Sequence, residues 1–412
     1  MQSRNFSIAL KAILAISTLT LLAMSTPANA GETILFSFNG TSDGRLPVSA
    51  LVLDAAGNLY GATTIRGANG AGTVFELSPN GSGGWTETVL HSFGSTSGDG
   101  KTPSSGLILD ASGNLYGVTS AGGASGVGTF YELSPDGSGG WTETVLYSFK
   151  KDGTDGTDPY GTLVRDAAGN LYGATQQGGT GAFGTVYELK LKSTGWSEKV
   201  LHSFSSNGID GVVPGGGLIL DASGNLYGET QSGGTFGWGT VFEMKPQAAG
   251  GWTEKVLHGF NFNGTDGVNP SGRLTLDTAG NLYGTTVGGG THAVGTIFEM
   301  KPKAGVWTER VLYSFNNNFG DGQVPNGSMV FDTAGNLYGA TGNGGSAGRG
   351  TLFELSPHTN GSWTETVLHS FGSTSGDGTG PWPPIIDALG ILYGTTDGGG
   401  VSNSGTVYEF TR

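Results

Sequence analysis

Asp110-Ala111-Ser112-Gly113-Asn114-Leu115-Tyr116-Gly117-Val118-Thr119 is an aspartate-led turn running into a short apolar stretch, and close copies of it return six more times. The opening aspartates are Asp54, Asp110, Asp166, Asp221, Asp277, Asp332 and Asp387, at steps of 56, 56, 55, 56, 55 and 55 residues. A fixed period of this length marks a solenoid, a propeller or another array. The recurrence therefore decides the architecture before any single residue is read for chemistry.

Working outward from Asp110, the short apolar run Gly106-Leu107-Ile108-Leu109 before the turn reads as one strand, and Leu115 to Thr119 after it as the returning strand. A Gly-rich loop, Ala121 to Gly128, leads to Thr129-Phe130-Tyr131-Glu132-Leu133, whose β-branched and aromatic residues suit a pleated surface. Pro135-Asp136-Gly137 is a turn, and Trp141 to Phe149 (WTETVLYSF) is the fourth strand. Four short antiparallel strands at a period near 55 residues predict an all-β, seven-bladed β-propeller. A propeller also escapes the size limit on a single core, because each pair of neighbouring sheets buries its own interface.

The two ends of the chain sharpen this reading. The seventh copy stops after Gly405 to Phe410 and lacks a fourth strand, whereas Glu32 to Phe38 (ETILFSF) matches Glu87 to Phe93 (ETVLHSF) and precedes the first unit with nothing to pair with there. The N-terminal strand is thus expected to complete the last blade and close the ring. Six of the eight tryptophans open fourth strands, and the copy beginning at Glu32 has none.

Residues 1–30 carry Arg4 and Lys11, an apolar run from Ile13 to Met24 and Ala28-Asn29-Ala30 before Gly31, the layout of a secretory signal peptide. Residues 31–412 are then a single propeller domain, expected to be secreted, whether extracellular, at the cell surface or periplasmic. Losing Arg4 and Lys11 takes the formal charge from −14 to −16. So acidic a surface argues against nucleic acid and anionic membrane as partners, and no later segment is apolar enough to insert. The chain has no cysteine, so disulfides contribute nothing. A monomer is expected.

With GNLYG, then GG, GTVFEL, WTETVLHSF and DGxxP in each unit, the repeat resembles that of the choice-of-anchor tandem-repeat (GloVer repeat) family of secreted bacterial proteins, over nearly all of the expected mature chain. The resemblance implies secretion, and often a C-terminal surface-anchoring segment. Here the last residues before Arg412 read as a strand instead.

A polar residue present in every unit is first a structural one, since the ring needs the same turn seven times. The opening aspartate is expected to bond amides of its own turn. The third-strand and fourth-strand glutamates are expected at exposed edges or in satisfied cross-strand pairs. Four of the six histidines, His91, His202, His258 and His369, share a fourth-strand position with Tyr147, Tyr313 and Phe36, which reads as an aromatic packing position. The Asp-Gly-x-x-Pro set, Asp43, Asp99, Asp155, Asp210, Asp266, Asp321 and Asp377, falls in the connections between blades. Its sharper reading is a ring of carboxylates at one mouth of the channel. No cofactor or metal is expected; Asp152, Asp155 and Asp158 offer calcium hard oxygen ligands, but without EF-hand spacing. Gly344 to Gly348 fits G-x-S-x-G yet joins two strands rather than a strand to a helix.

Function should show where the repeat departs from itself. The position before the third-strand Gly-Thr holds Ala71, Val127, Phe183, Trp238, Val294, Arg349 and Ser404. With Phe236 and His292 beside it, and Tyr160 and Trp382 after the loop proline, these residues outline a platform for a sugar or peptide. The expected binding residues are Tyr160, Phe183, Phe236, Trp238, His292, Arg349 and Trp382. Arg165 and Glu229 replace apolar or small residues and are candidates for a polar site inside the ring. The leading expectation is a non-enzymatic binder of an extracellular glycan or protein. The alternatives are a propeller-type lactonase, polysaccharide lyase or glycosidase with carboxylates at the channel mouth, and a structural cell-surface protein.

Overall fold

In the unit that contains Asp110, the strands Ile108–Leu109, Leu115–Gly122, Thr129–Pro135 and Trp141–Ser148 form an antiparallel sheet in the expected order. The computed structural model describes residues 31–412 apart from Ser49 and Asn317, so the expected signal peptide lies outside the described residues. Asp110 makes the turn: Oδ1 accepts the Ser112 and Asn114 amides at 2.8 and 2.9 Å, and Oδ2 accepts the Asn114 side chain and the Tyr116 hydroxyl. Gly113 supplies the left-handed φ of +86° that this tight turn requires. In the corresponding turn at Asp332, burial opposes ionisation, but bonds from Asn336, the Tyr338 hydroxyl and the Ala334 amide hold the carboxyl down at about 2.

One element differs from the sequence reading. The Asp-Gly-x-x-Pro segment is not only a connection: Gly100–Pro103 is itself a strand, paired with the same neighbour as Ile108–Leu109. In three units the two pieces run on as one ten-residue strand, Gly156–Arg165, Gly211–Leu220 and Gly322–Phe331. A register shift lies between the halves, where the backbone turns towards the next unit.

The sheets are all antiparallel internally and mostly four- or five-stranded; an eight-stranded one is two units joined by the single parallel bridge Thr162↔Gly217. Each hydrophobic cluster lies between consecutive units rather than within one. Tyr60, Val74 and Phe93 pack on Leu107, Leu115 and Tyr131 of the following unit, and the pattern continues along the chain. The seventh cluster joins the last unit to the first, bringing Phe38, Tyr393 and Val407 against Leu51, Leu59 and Phe75. Gly31–Ser37 pairs antiparallel with Thr406–Thr411, from Gly31↔Thr411 to Ser37↔Thr406.

Backbone contacts repeat with the same period. The residue before each loop proline donates its N–H to the carbonyl just ahead of the preceding unit's Gly-Thr: Thr102 to Ala71, Val213 to Phe183, Asn269 to Trp238, and across the chain ends Leu46 to Ser404, at 2.8 to 3.2 Å. Nearer the centre the inner strands touch backbone to backbone. A Cβ on Gly216 would fall 1.5 Å from the Gly272 carbonyl oxygen, so only glycine fits there.

Phe38 is fully buried and its N–H reaches the Gly405 carbonyl at 3.0 Å. Phe38→Ala is expected to cost about 3–5 kcal/mol, and removal of residues 31–38 to lower the melting temperature further. An unchanged melting curve for the truncated chain would show that the N-terminal strand adds nothing to the fold.

Candidate functional site

The Gly-rich loops and the connections between units lie on one face, and the Asp-led hairpins on the other. The loop-face position before Gly-Thr is the most variable in the repeat because its structural duty falls on its backbone carbonyl, the acceptor of the inter-unit bond. Its side chain is therefore free to change. Phe183, Phe236 and Trp238 are exposed there, the last two at 53% and 40%. Trp238 lies 5.6 Å from the ring of Phe262, itself 53% exposed. Ile209, Phe262 and Phe319, all exposed, extend the same arc along the connections. The sequence reading missed these three, although their signal was present: apolar residues in connections built mostly from Ser, Thr, Asn, Gly and Asp.

A second part of the face is polar. Arg45, Asn343, Arg349, Thr379, Asp397 and Asn403 line a cleft of about 340 Å³ between the first and the last two units. The Trp382 indole N–H donates to Asp397. Tyr160 belongs to the third unit, yet Asp397 and Asp158 both add to the burial that raises its hydroxyl pKa, so the three groups share one neighbourhood. The structure thus brings Tyr160, Trp382 and Arg349 to the polar part and Phe183, Phe236 and Trp238 to the aromatic arc. His292 is exposed on the same face. The Arg45 Nε is buried there without a hydrogen-bond partner.

Two expectations are corrected. The Asp-Gly-x-x-Pro carboxylates do not ring a channel mouth: six of the seven are buried, and they cap their own loops. Asp99 Oδ2, for example, accepts the Ser95 amide at 2.8 Å. In the loop that holds Asp152, Asp155 and Asp158, Asp152 Oδ1 accepts the Asp155 and Thr154 amides and Asp155 Oδ2 accepts the Tyr147 hydroxyl, while Asp155 Oδ1 is buried with no hydrogen-bond partner. Arg165 is exposed, its guanidinium lying over Gly169 of its own hairpin, and so is no buried charge.

Glu229 does sit inside, 1% exposed, with Oε1 unpartnered against the backbone of Gly284 in the next unit. Desolvation raises its pKa well above the usual carboxylate range.

The fourth-strand glutamates are neither exposed nor satisfied. Glu32, Glu87, Glu143, Glu198, Glu254, Glu309 and Glu365 each keep a buried Oε1 with no hydrogen-bond partner. Burial, then nearby aspartates, push them up, Glu87 to about 7 and Glu198 and Glu365 to about 8. Each faces the aromatic position of the preceding unit. That position packs as expected, with ring centroids 4.7 Å apart for His91 on Phe93, His202 on Phe204, His258 on Phe260 and His369 on Phe371. The imidazoles also reach the loop aspartates: Nε2 lies 3.2 to 3.6 Å from Asp99, Asp210, Asp266 or Asp377. Four trios result, His91–Asp99–Glu143, His202–Asp210–Glu254, His258–Asp266–Glu309 and His369–Asp377–Glu32, each with its ligand atoms within 4.8 Å of one another. Where tyrosine replaces histidine, its hydroxyl bonds the aspartate, as Tyr147 does to Asp155 at 2.7 Å. The larger cleft, about 490 Å³, is at that tyrosine-containing rim beside Glu198 and Trp196.

The sequence pattern of the Gloeobacter/Verrucomicrobia repeat matches residues 20–228, 138–318 and 308–412, and the chain belongs to that family. No curated protein matches it. Among solved structures it is similar to the extracellular domain of a putative hybrid two-component system from B. thetaiotaomicron, at 13% identity and a TM-score of 0.54. That match covers 92% of this chain and 39% of the other, so this chain spans well under half of it, and the likeness is one of fold. A luciferin-regenerating enzyme aligns at 16% identity over 90% of this chain and 92% of its own, with a TM-score of 0.44. The fold is all-β and propeller-like.

A carboxyl that is easier to protonate when folded takes up a proton on folding between its unfolded pKa, about 4.3, and its folded one. For Glu198 and Glu365 that stabilisation is complete below about pH 4 and is lost as the pH rises through about 8. The melting temperature is therefore expected to fall between pH 5 and 8.5, and the double variant Glu198→Gln/Glu365→Gln to fall less steeply. Equal slopes in the two proteins would refute the assignment.

Proposed function

We propose that the chain is a seven-bladed β-propeller closed by its N-terminal strand, exported as a monomer, and that it binds an extracellular glycan or protein through its loop face. The observation that carries this reading is the set of exposed aromatics, Phe183, Phe236, Trp238 and Phe262, on the same loop face as a cleft edged by Arg45, Arg349 and Asn343. Flat apolar rings supply stacking area, and the donors elsewhere on the face give direction, the pairing a carbohydrate chain or a peptide requires. Support for seven blades and closure comes from the sevenfold period, the cluster joining the last unit to the first, and the Gly31–Ser37 pairing with Thr406–Thr411. Support for export comes from the layout of residues 1–30.

The enzymatic alternative needs an acid and a base tuned apart in one pocket. The two carboxyls beside Tyr160, Asp158 and Asp397, are both pushed upward by burial, Asp397 with a partial offset from the Trp382 N–H. Tuned in the same direction, they do not divide the roles of acid and base.

On a glycan array, and in pull-downs from extracellular protein fractions, the wild-type chain is expected to capture a defined ligand. Trp238→Ala, and separately Phe262→Ala, should weaken that capture about 10-fold or more, as truncating a central aromatic anchor does. Both residues are exposed, so the melting temperature should stay within about 1–2 °C of wild type. Capture that survives both substitutions would place the binding surface elsewhere.

A further inference from the structure

We propose that the protein binds divalent transition-metal ions of the zinc class at its rim, one at each of the four inter-unit junctions that present a histidine, an aspartate and a glutamate. The inference is independent of the loop-face reading, since the trios stand at the junctions of the outer strands.

At the first of these sites His91 and Asp99 come from one unit and its outgoing loop, and Glu143 from the outer strand of the next. The site therefore exists only when the two units are docked. Asp99 is 5% exposed, and its two oxygens have different lives: Oδ2 accepts the Ser95 amide and hydroxyl, while Oδ1 is buried with no hydrogen-bond partner. The His91 Nε2 and the Glu143 Oε1 are likewise buried and unpartnered. Three ligand atoms that have given up water and found no donor or acceptor are costly in an empty fold, and a cation between them would answer all three at once. At Asp210 and Asp266 Oδ1 is again left over and Oδ2 accepts a loop amide, and there the His202 and His258 Nε2 already rests on that Oδ2 at 3.3 and 3.2 Å, while His369 lies against both oxygens of Asp377.

The donor set selects the metal. Zinc is held about 2.0–2.2 Å from imidazole nitrogen and carboxylate oxygen, which sets neighbouring ligands about 3.5 Å apart. The His91 Nε2 to Asp99 Oδ1 separation is 3.6 Å, already at that spacing. All three atoms lie within 4.8 Å, so the glutamate has only to swing inward by about an ångström, leaving a fourth position for water. Calcium and magnesium prefer six or more oxygens, which this site does not offer. The ring packed edge-on against Phe93 and the Ser95 amide on the aspartate hold two of the three ligands in orientation.

The other junctions act as internal controls. Tyr147 and Tyr313 bond their aspartates directly, and Phe36 offers no donor atom, so the three junctions without histidine should bind nothing.

After dialysis against a chelator, titration of the full chain with zinc chloride, followed calorimetrically and by elemental analysis, is expected to give four equivalents per chain, with calcium chloride giving none. His91→Phe and His258→Phe should each lower this to three, and His91→Phe/His202→Phe/His258→Phe/His369→Phe to zero, along with any zinc-induced rise in melting temperature. Phenylalanine already fills this position at residue 36, so the ring packing survives; circular dichroism checks that it does. Glu143→Gln gives a second route to three equivalents without touching a ring. Absence of zinc binding by the wild-type chain would overturn the proposal. So would binding retained in the quadruple variant, or calcium bound as well as zinc.

Discussion

The interaction on which the structure depends is the backbone bond from the residue before each loop proline to the carbonyl preceding the neighbouring unit's Gly-Thr. It forces that residue into the left-handed region, and in six units it is not glycine: Leu46, Thr102, Asp158, Val213, Asn269 and Val324 have φ between 54° and 60°. Such a conformation costs of order 1 kcal/mol and persists only where the surroundings demand it. What demands it is the adjoining proline, whose ring sits against the glycine of the same Gly-Thr, as Pro103 does on Gly72 and Pro47 on Gly405. A Cβ on either glycine would meet proline carbons within 2.6 Å, so the Gly and the Pro are two halves of one lock.

Because that lock is made of backbone and two fixed residues, it was legible in the sequence as a period but not as an interaction. The hairpin at Asp110 could be read completely, since all its bonds close within seven residues. The aromatic position at His91 could be half read. A set of His, Tyr and Phe announces ring packing, but the constant spacing of eight residues from His91 to Asp99, His202 to Asp210, His258 to Asp266 and His369 to Asp377 also announced the carboxylate. The third member could not be read. Glu143 meets His91 only through lateral docking of separate sheets, and no local pattern encodes which neighbour a strand faces.

Arg165 and Glu229 were equivalent from the sequence, each a charge in an apolar position, and the structure separates them by where the position points. The end of the inner strand looks out over its own hairpin, so a long guanidinium escapes to water. The middle of the second strand looks into the gap between units, where Glu229 meets Gly284 and no base. Burial there favours the uncharged form of the carboxyl, and the side chain is not much larger than the Thr285 or Val118 found at the same position.

The same logic shows how departures from the repeat are absorbed. Each fourth-strand tryptophan packs against the preceding unit: Trp141 on Tyr60, Trp196 on Phe130, Trp252 on Tyr172, Trp307 on Tyr227, Trp363 on Tyr283 and Trp85 on Tyr393. The outer strand beginning at Gly31 has no tryptophan, which would leave Tyr338 bare. Arg412 takes that place, its guanidinium 4.8 Å above the Tyr338 ring and 3.2 Å from Asp332. A planar cation over an aromatic face covers much the same area as an indole edge and adds a charge where Asp332 can use it. Symmetry in this fold is therefore a property of surfaces filled rather than of residues repeated. Divergence is free wherever a different side chain can fill the same surface, and it becomes chemistry where, as with histidine at the rim, the replacement brings an atom that its neighbours leave without a partner.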